Sequence, residues 1–180
     1  MNASHKPLPK HRRLFLLRHG KSAWPGDVAD HDRPLADRGR KAAPLIGSYM
    51  AREKLLPDLV LVSTARRAQE TWKLLAKELP RSAVKRDVPD LYEAPAARIA
   101  GILRGIEPTV QTVMLVGHNP GFQDFANGLI GSGDSEDWAR LKEKFVTAGM
   151  AIIDFKADRW EDITPESGHL ERFVRPRALA

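Results

Sequence analysis

The sequence contains no cysteine among its 180 residues. This absence excludes disulfide frameworks, zinc sites built on thiolates, iron–sulfur clusters and a cysteine nucleophile. It also fits a reducing compartment, and we expect a cytoplasmic location. Long apolar runs are absent too. No stretch approaches the roughly 20 apolar residues that span a bilayer, and residues 14–17 are too short an apolar run for a secretory signal. The sequence therefore predicts no association with membranes.

Acidic residues are outnumbered by basic ones, 23 against 29, which gives a net charge of +6. Such a balance suggests an anionic partner, which can be nucleic acid, a membrane surface or a substrate. Lys6, Lys10, Arg12 and Arg13 lie in the first 13 residues, where there is no acid, so this segment holds four of the six excess charges. Few aromatic side chains interleave with the basic ones, which argues against nucleic-acid binding. We predict a disordered basic lead-in over residues 1–13 and a single domain over residues 14–180.

The apolar fraction of 42% is typical of a globular domain. Five short apolar runs predict strands, and three of them are continuous enough to be buried on both faces. Segments with helical spacing separate them. This alternation predicts an α/β fold, a three-layer α/β/α sandwich with a mostly parallel central sheet, whose ligands bind beyond the carboxyl ends of the strands. The predicted strands are residues 14–17, 59–62, 84–88, 113–116 and 151–155, and the predicted helices are capped by Asp37 and by Ser63 or Thr64, cover 96–104, follow Gly121 and lie near 136–145.

The first predicted strand ends in Arg18, His19 and Gly20. A cation beside an imidazole favours its neutral form, which has a nucleophilic ring nitrogen at neutral pH, and glycine allows a substrate oxygen to come close. Nucleophilic attack on phosphorus requires both properties. A core or capping histidine has the same local sequence, so this motif alone leaves the role of His19 open.

Two further strand ends carry candidate anion-binding residues. Arg66 and Arg67 fall in the first turn of a predicted helix, where the helix dipole disfavours cations. A bound anion would offset that repulsion, although a surface salt bridge would also account for the pair. His118 follows the fourth predicted strand, where a second imidazole can stabilise charge on a phosphoryl oxygen. The alternative is a structural histidine in a strand-to-helix turn.

Arg33 precedes the predicted cap at Asp37, so it can overhang the same pocket. Glu93 follows the third predicted strand and can reach the site as a general acid, or it is an ordinary surface glutamate. His31 lies between two aspartates, but no second cluster of ligands accompanies it, so we predict no metal site. The chain also lacks both common phosphate-binding glycine signatures, and we predict no cofactor.

Three motifs, in this order, resemble those of the histidine phosphatase superfamily, which has the phosphoglycerate mutase-like fold. Residues 14–20, LFLLRHG, resemble its opening strand and RHG motif. Residues 63–71, STARRAQET, resemble its second motif, S-P-x-x-R-A-x-x-T, and residues 117–120, GHNP, match the third, which carries the second catalytic histidine. Three ordered motifs are far more specific than one, and the similarity runs from about residue 14 to residue 155.

Within this superfamily the short chain most resembles the SixA-type phosphohistidine phosphatases, because it has little room for the insertions that cover the site in larger members. The R-P-L sequence that begins at Arg33 resembles the same branch and implies a further phosphate ligand there. The second motif implies that Arg67, and not Arg66, binds phosphate. The resemblance thus implies a nucleophile, His19, and the phosphate-binding side chains Arg18, Arg67 and His118.

The resemblance implies a metal-independent phosphatase that acts in signal transduction. It would remove the phosphoryl group from phosphohistidine on a phosphotransfer or signalling protein, for example a histidine phosphotransfer domain, through a phosphohistidine intermediate on His19. One alternative is a small-molecule phosphomonoesterase or mutase of the same fold, in which Glu93, which resembles the L-x-E glutamate of the mutase branch, is the general acid. Another is a non-catalytic domain that binds phosphoproteins or nucleic acid. The sequence leaves the oligomeric state open.

Overall fold

A computed structural model describes residues 11–180 of the chain. Within that range a single sheet of seven strands is covered by five α-helices. None of these helices is long and apolar enough to cross a membrane. The strands are β1 (His11–Arg18), β2 (Leu59–Val62), β3 (Val84–Asp87), β4 (Thr112–Gly117), β5 (Ile130–Gly133), β6 (Met150–Lys156) and β7 (Gly168–Val174), and the helices are α1 (Asp37–Arg52), α2 (Arg66–Ala76), α3 (Ala96–Arg104), α4 (Gly121–Leu129) and α5 (Ser135–Glu143).

The strand order is β3-β2-β4-β1-β6-β7-β5. All pairings from β3 to β1 are parallel. β6 is antiparallel to both of its neighbours, β1 and β7, and β5 is again parallel to β7. The prediction of a mostly parallel sheet is therefore confirmed, and its parallel half contains the three strands that end in the candidate site residues.

Alternate side chains of β1 divide the core between two faces of the sheet. Leu14 and Leu16 point into a cluster formed with α3, α4 and α5. Phe15 and Leu17 point into a second cluster formed with α1 and α2, which includes Trp72. Successive strand residues face opposite sides, so a strand that is apolar throughout must be covered on both. The three-layer α/β/α fold is thereby confirmed.

The predicted helix caps are wrong, although the helices themselves form. The N-cap residues of α1 and α2 are Ala36 and Ala65, and neither makes a side-chain capping bond. Two strands were not predicted at all. β5 reads I-G-S-G and is too short and glycine-rich to stand out, and β7 pairs with β6 across a register shift that disturbs its alternating pattern.

The predicted boundary after residue 13 is also wrong, because β1 includes the last three residues of the supposed lead-in. Arg12 is only 1% exposed, and its Nη1 donates to the carbonyl oxygen of Val110 over 2.8 Å. Arg13 forms a two-point ion pair with Asp154, at 2.6 and 2.8 Å. Both arginines thus belong to the fold. Residues 1–10, which carry the rest of the lead-in prediction, lie outside the described residues.

Candidate active site

The carboxyl ends of β1, β2 and β4 meet at one edge of the sheet because these strands are parallel neighbours. His19 follows β1, and its backbone N–H donates to the carbonyl oxygen of Gly117 over 3.0 Å. His118 follows β4, and the two imidazole rings lie 5.1 Å apart between centroids. Both histidines are mostly buried, at 8% and 7% exposure. The structure therefore brings together the two histidines that the sequence predicted at the strand ends.

Hydrogen bonding fixes the tautomer of His19. Its Nδ1 lies 2.7 Å from the carbonyl oxygen of Gly20, and a carbonyl oxygen can only accept, so Nδ1 carries the proton. Nε2 then carries the lone pair, and the Nε–H of Arg67 donates to it over 3.4 Å. Burial, followed by the charges of Arg67, Arg18 and Arg33, lowers the pKa of His19 to about 4 against the opposing bond to Gly20. The ring is neutral at physiological pH, and burial contributes more to this than the neighbouring cation on which the sequence argument relied.

The two consecutive arginines of α2 have different surroundings. Arg67 is buried, and its Nη1 and Nη2 donate to the backbone oxygen and the carboxylate of Asp30, at 2.7 and 3.2 Å. Arg66 is exposed and pairs with Glu70 on its own helix at 2.8 Å. Thr71 ties the helix to the first strand end, since its hydroxyl accepts from the N–H of Gly20 and donates to the carbonyl of Arg67. The helix thus presents Arg67, and not Arg66, to His19.

Arg33 lies beside the site with its guanidinium already engaged. Its nitrogens donate to the carbonyl of Ala23, the carboxylate of Asp30 and the hydroxyl of Ser22, at 3.1, 3.0 and 2.7 Å. The guanidinium also stacks 3.4 Å from the ring centroid of Trp24. The positive charge of Arg33 contributes to the lowered pKa of His19. Whether Arg33 binds phosphate directly remains a prediction.

Asp30 and Tyr92 belong to the site, and sequence reasoning missed both. The carboxylate of Asp30 accepts from Arg33, from Arg67 and, over 2.5 Å, from the hydroxyl of Tyr92. These bonds, that of Tyr92 first, hold the pKa of Asp30 well below its usual range. Burial and the bond to Asp30 raise the pKa of Tyr92 to about 12. An anionic carboxylate therefore stands inside the cationic cluster and holds two of its guanidiniums in place.

Only one ring nitrogen of His118 has a hydrogen-bond partner within residues 11–180. Its Nε2 lies 2.7 Å from the hydroxyl of Ser63, whereas its buried Nδ1 has no partner within residues 11–180. Burial, then His19 and Arg67, lower its pKa to about 3. The ring of Tyr92 meets it edge-on at 5.6 Å. His118 is thus a second neutral imidazole with one ring nitrogen unused.

Arg18 is held by the segment that connects α5 to β6. Its Nη1 donates to the carbonyl of Phe145 over 2.8 Å, and its buried Nε has no partner in the described part of the chain. The backbone N–H of Arg18 donates to Gly149, and the carbonyl of His19 accepts from Ala148. The C-terminal half of the chain therefore positions the residues of the first motif.

A cavity of about 410 Å³ lies beside these groups, and Arg67, Asp30, His118 and Glu93 are among its lining residues, whereas His19, Arg18 and Arg33 are not. Glu93 is exposed and has a φ of 54°, in the left-handed region. Glu93 thus lies in the cavity wall, and its role as a general acid stays a prediction. Residues 11–180 contain no group of three or more side chains that could hold a metal ion. The arrangement combines a neutral nucleophilic nitrogen with fixed guanidiniums, which suits attack on an anionic phosphoryl group.

Comparison with known proteins places the chain in a family. The model of the histidine phosphatase superfamily (branch 1) matches residues 14–102. An uncharacterized protein of Mycobacterium tuberculosis is 36% identical over 163 residues, which cover 89% of this chain and 100% of that one. Two candidate phosphohistidine phosphatases SixA have similar structures: the protein of Agrobacterium tumefaciens (29% identity, TM-score 0.76, 92% and 99% of the two chains) and that of Nakamurella multipartitia (25%, 0.78, 94% and 99%).

The chain therefore belongs to the histidine phosphatase superfamily, and it is a phosphatase. Among the members of that superfamily it is similar to the SixA type, as the sequence motifs predicted.

Proposed function

We propose that this phosphatase removes the phosphoryl group from phosphohistidine on another protein, with His19 as the nucleophile. The observation that carries the proposal is the state of His19. Its Nδ1 carries the proton that it donates to the carbonyl of Gly20, and the lone pair of Nε2 accepts from the guanidinium of Arg67. A neutral imidazole in this setting is ready to attack at neutral pH. The likeness to SixA-type proteins supports phosphohistidine as the substrate.

The first step transfers the phosphoryl group. Nε2 of His19 attacks phosphorus while the bond from phosphorus to the substrate imidazole breaks, and the electron pair of that bond returns to the substrate ring. That ring, protonated on its other nitrogen, leaves as neutral imidazole and needs no further proton. Arg67, Arg18 and His118 stabilise the phosphoryl oxygens; within residues 11–180 the buried Nε of Arg18 and Nδ1 of His118 have no other hydrogen-bond partner. Positioning and charge stabilisation supply most of the catalysis in phosphoryl transfer.

The second step hydrolyses the intermediate. Phosphorylation of Nε2 leaves a proton on Nδ1, so the phosphorylated ring is cationic, and the carbonyl of Gly20 accepts its N–H. A cationic ring is a good leaving group, because it departs neutral. Water attacks phosphorus, the electron pair of the phosphorus–nitrogen bond returns to Nε2, and the proton of water stays with the released phosphate or passes to solvent.

A second candidate function rests on Glu93, which lines the same cavity as Arg67 and His118. A phosphate ester leaves as an alkoxide, which needs a proton donor, and Glu93 is placed to supply one. This would make the protein a small-molecule phosphomonoesterase or mutase. Phosphohistidine needs no such donor, so the two functions predict different effects of replacing Glu93.

The test offers the purified protein a phosphohistidine peptide, a phosphoserine peptide and p-nitrophenyl phosphate side by side. We expect the phosphohistidine peptide to be the preferred substrate, and acid-labile phosphate to be trapped on His19 after rapid quenching. His19→Ala should abolish activity while circular dichroism shows it folded, and Glu93→Gln should change phosphohistidine hydrolysis less than about threefold. Retained activity of His19→Ala, or a preference for esters that Glu93→Gln removes, would refute the proposal.

A further inference from the structure

A second cavity, of about 620 Å³, lies beside the strand end that carries His19. We call it the basic groove. Its wall includes the apolar side chains of Leu45, Val146 and Pro176, and neither aspartate nor glutamate lines it. Within residues 11–180 it shares no lining residue with the cavity that His118 and Glu93 line. The basic side chains of the groove are Lys21, Arg38, Lys41, Arg175 and Arg177.

The arginines of the groove differ from most others in the molecule. Of the 18 arginines within residues 11–180, 14 have an ion pair or a side-chain hydrogen bond, and the remaining four are Arg38, Arg98, Arg175 and Arg177. Three of these four line the groove. Unpaired like charges in a concave site repel one another and focus a positive field. The positive field of the groove therefore favours an anionic ligand.

The groove is fixed to the catalytic strand end on two sides. Lys21 stands two residues after His19, and its carbonyl accepts from the N–H of Ala36, at the start of α1. A side chain at Gly39 would come within 2.3 Å of that carbonyl, so α1 packs directly on Lys21. On the other side, Thr147 precedes Ala148, whose N–H donates to the carbonyl of His19 over 3.0 Å. A protein whose phosphohistidine reaches His19 therefore has the groove next to it.

We propose that the basic groove binds an acidic segment of the phosphoprotein substrate, next to its phosphohistidine. This inference rests on the proposed function. Five basic side chains in a wall without aspartate or glutamate favour a segment rich in aspartate or glutamate, and the apolar wall can receive aliphatic side chains of a peptide. Sites for single-stranded nucleic acid stack bases on aromatic side chains, and no aromatic residue lines the groove. Charge complementarity of this kind selects partners and speeds their association.

The test uses two phosphohistidine peptides that differ only in flanking residues, four glutamates or four glutamines on each side, together with p-nitrophenyl phosphate. The groove variant is Arg38→Ala/Lys41→Ala/Arg177→Ala, in which all three side chains are exposed and unpaired. The control variant, Lys77→Ala/Arg98→Ala/Lys156→Ala, removes the same charge from exposed positions outside the groove.

The wild-type protein should prefer the glutamate peptide by roughly tenfold in kcat/KM, since each exposed ion pair contributes only modestly. The groove variant should lose most of this preference and keep its activity on p-nitrophenyl phosphate within about twofold. The control variant should behave as the wild type. The inference is overturned if the wild type shows no preference, if the groove variant keeps it, or if both variants lose it equally.

Failure of the proposed function is distinguishable from failure of this inference. If neither phosphopeptide is hydrolysed while p-nitrophenyl phosphate is, the proposed function is wrong. Fluorescence anisotropy with the unphosphorylated glutamate peptide then tests the groove alone, and weaker binding by the groove variant only would support it. Tighter binding of a single-stranded oligonucleotide than of the glutamate peptide would overturn it in favour of nucleic acid.

Discussion

The cations of the active site and those of the basic groove are the same residue types in opposite states. Arg33 and Arg67 are buried, and fixed acceptors, among them the carboxylate of Asp30, hold them in place. Arg38 and Arg177 are exposed, and neither has an ion pair or a side-chain hydrogen bond within residues 11–180. A phosphoryl group has one shape, so donors already in position stabilise it best. A partner protein varies in shape, and flexible exposed side chains can adapt to it. Fixed cations therefore suit phosphoryl transfer, and flexible exposed cations suit recognition of the substrate protein.

The largest expected effect distinguishes Arg67 from its neighbour. Arg67→Ala should lower kcat by about a thousandfold on phosphohistidine peptide and on p-nitrophenyl phosphate alike, because it removes a guanidinium that stabilises transition-state charge. Arg66→Ala, which removes an exposed arginine paired with Glu70, is the matched control and should stay within about threefold of wild type. Steady-state kinetics of both variants measure this. Equal losses in the two would show that burial and contact with His19 do not define the catalytic cations.

A smaller effect is expected from the acid that holds the buried cations. Asp30→Asn keeps an acceptor near Arg33 and Arg67 but removes the charge, so kcat should fall by roughly tenfold as their positions loosen. KM should stay equal or fall, because a negative charge leaves the cavity wall. Asp32→Asn, at an exposed neighbour, is the control and should change neither value. A rise in KM with unchanged kcat would contradict the positioning role of Asp30.

A third effect concerns the free energy of unfolding in acid, to which the two buried histidines of the site contribute. The pKa values of His19 and His118 are lowered to about 4 and about 3. In the unfolded chain these histidines bind protons near pH 6.5, whereas in the folded chain they bind them only near pH 4 and below. Their contribution to the free energy of unfolding is therefore fully present above pH 6.5 and decreases as the pH falls toward 4. Chemical unfolding at pH 7 and at pH 4.5 measures how much the free energy of unfolding decreases between the two. For His118→Asn this decrease should be about 2 kcal/mol smaller than for the wild type.

If His118→Asn lost as much stability in acid as the wild type, the buried site would not be the origin of the acid sensitivity.

The parts of the fold that could be predicted are those whose signal is local. The strands β2 and β4 and residues 14–17 of β1 form apolar runs because both of their faces are buried, and these runs stand out in the sequence. The outer strand β5 offers four residues, two of them glycine. Its place in the sheet comes from pairing with β7, and no local pattern expresses such a pairing.

The site divides in the same way. His19, Arg67 and His118 follow or nearly follow strand ends, so topology alone brings them together. Asp30 contacts Arg67 and Tyr92, which stand 37 and 62 residues away along the chain. Its immediate surroundings suggest only a solvated turn. Contacts of this range depend on how the loops return to the sheet, which neither periodicity nor motif spacing reveals.

The position of β1 between β4 and β6 has a consequence for the growing chain on the ribosome. The family motifs begin at residue 14, yet the strand that carries them needs a partner that begins only at Met150. The catalytic strand end is also pinned by bonds to Ala148 and Gly149. A nascent polypeptide that has emerged only as far as α4 therefore contains every proposed catalytic residue and still has no assembled active site. We therefore expect phosphatase activity to appear only after β6 has been synthesised.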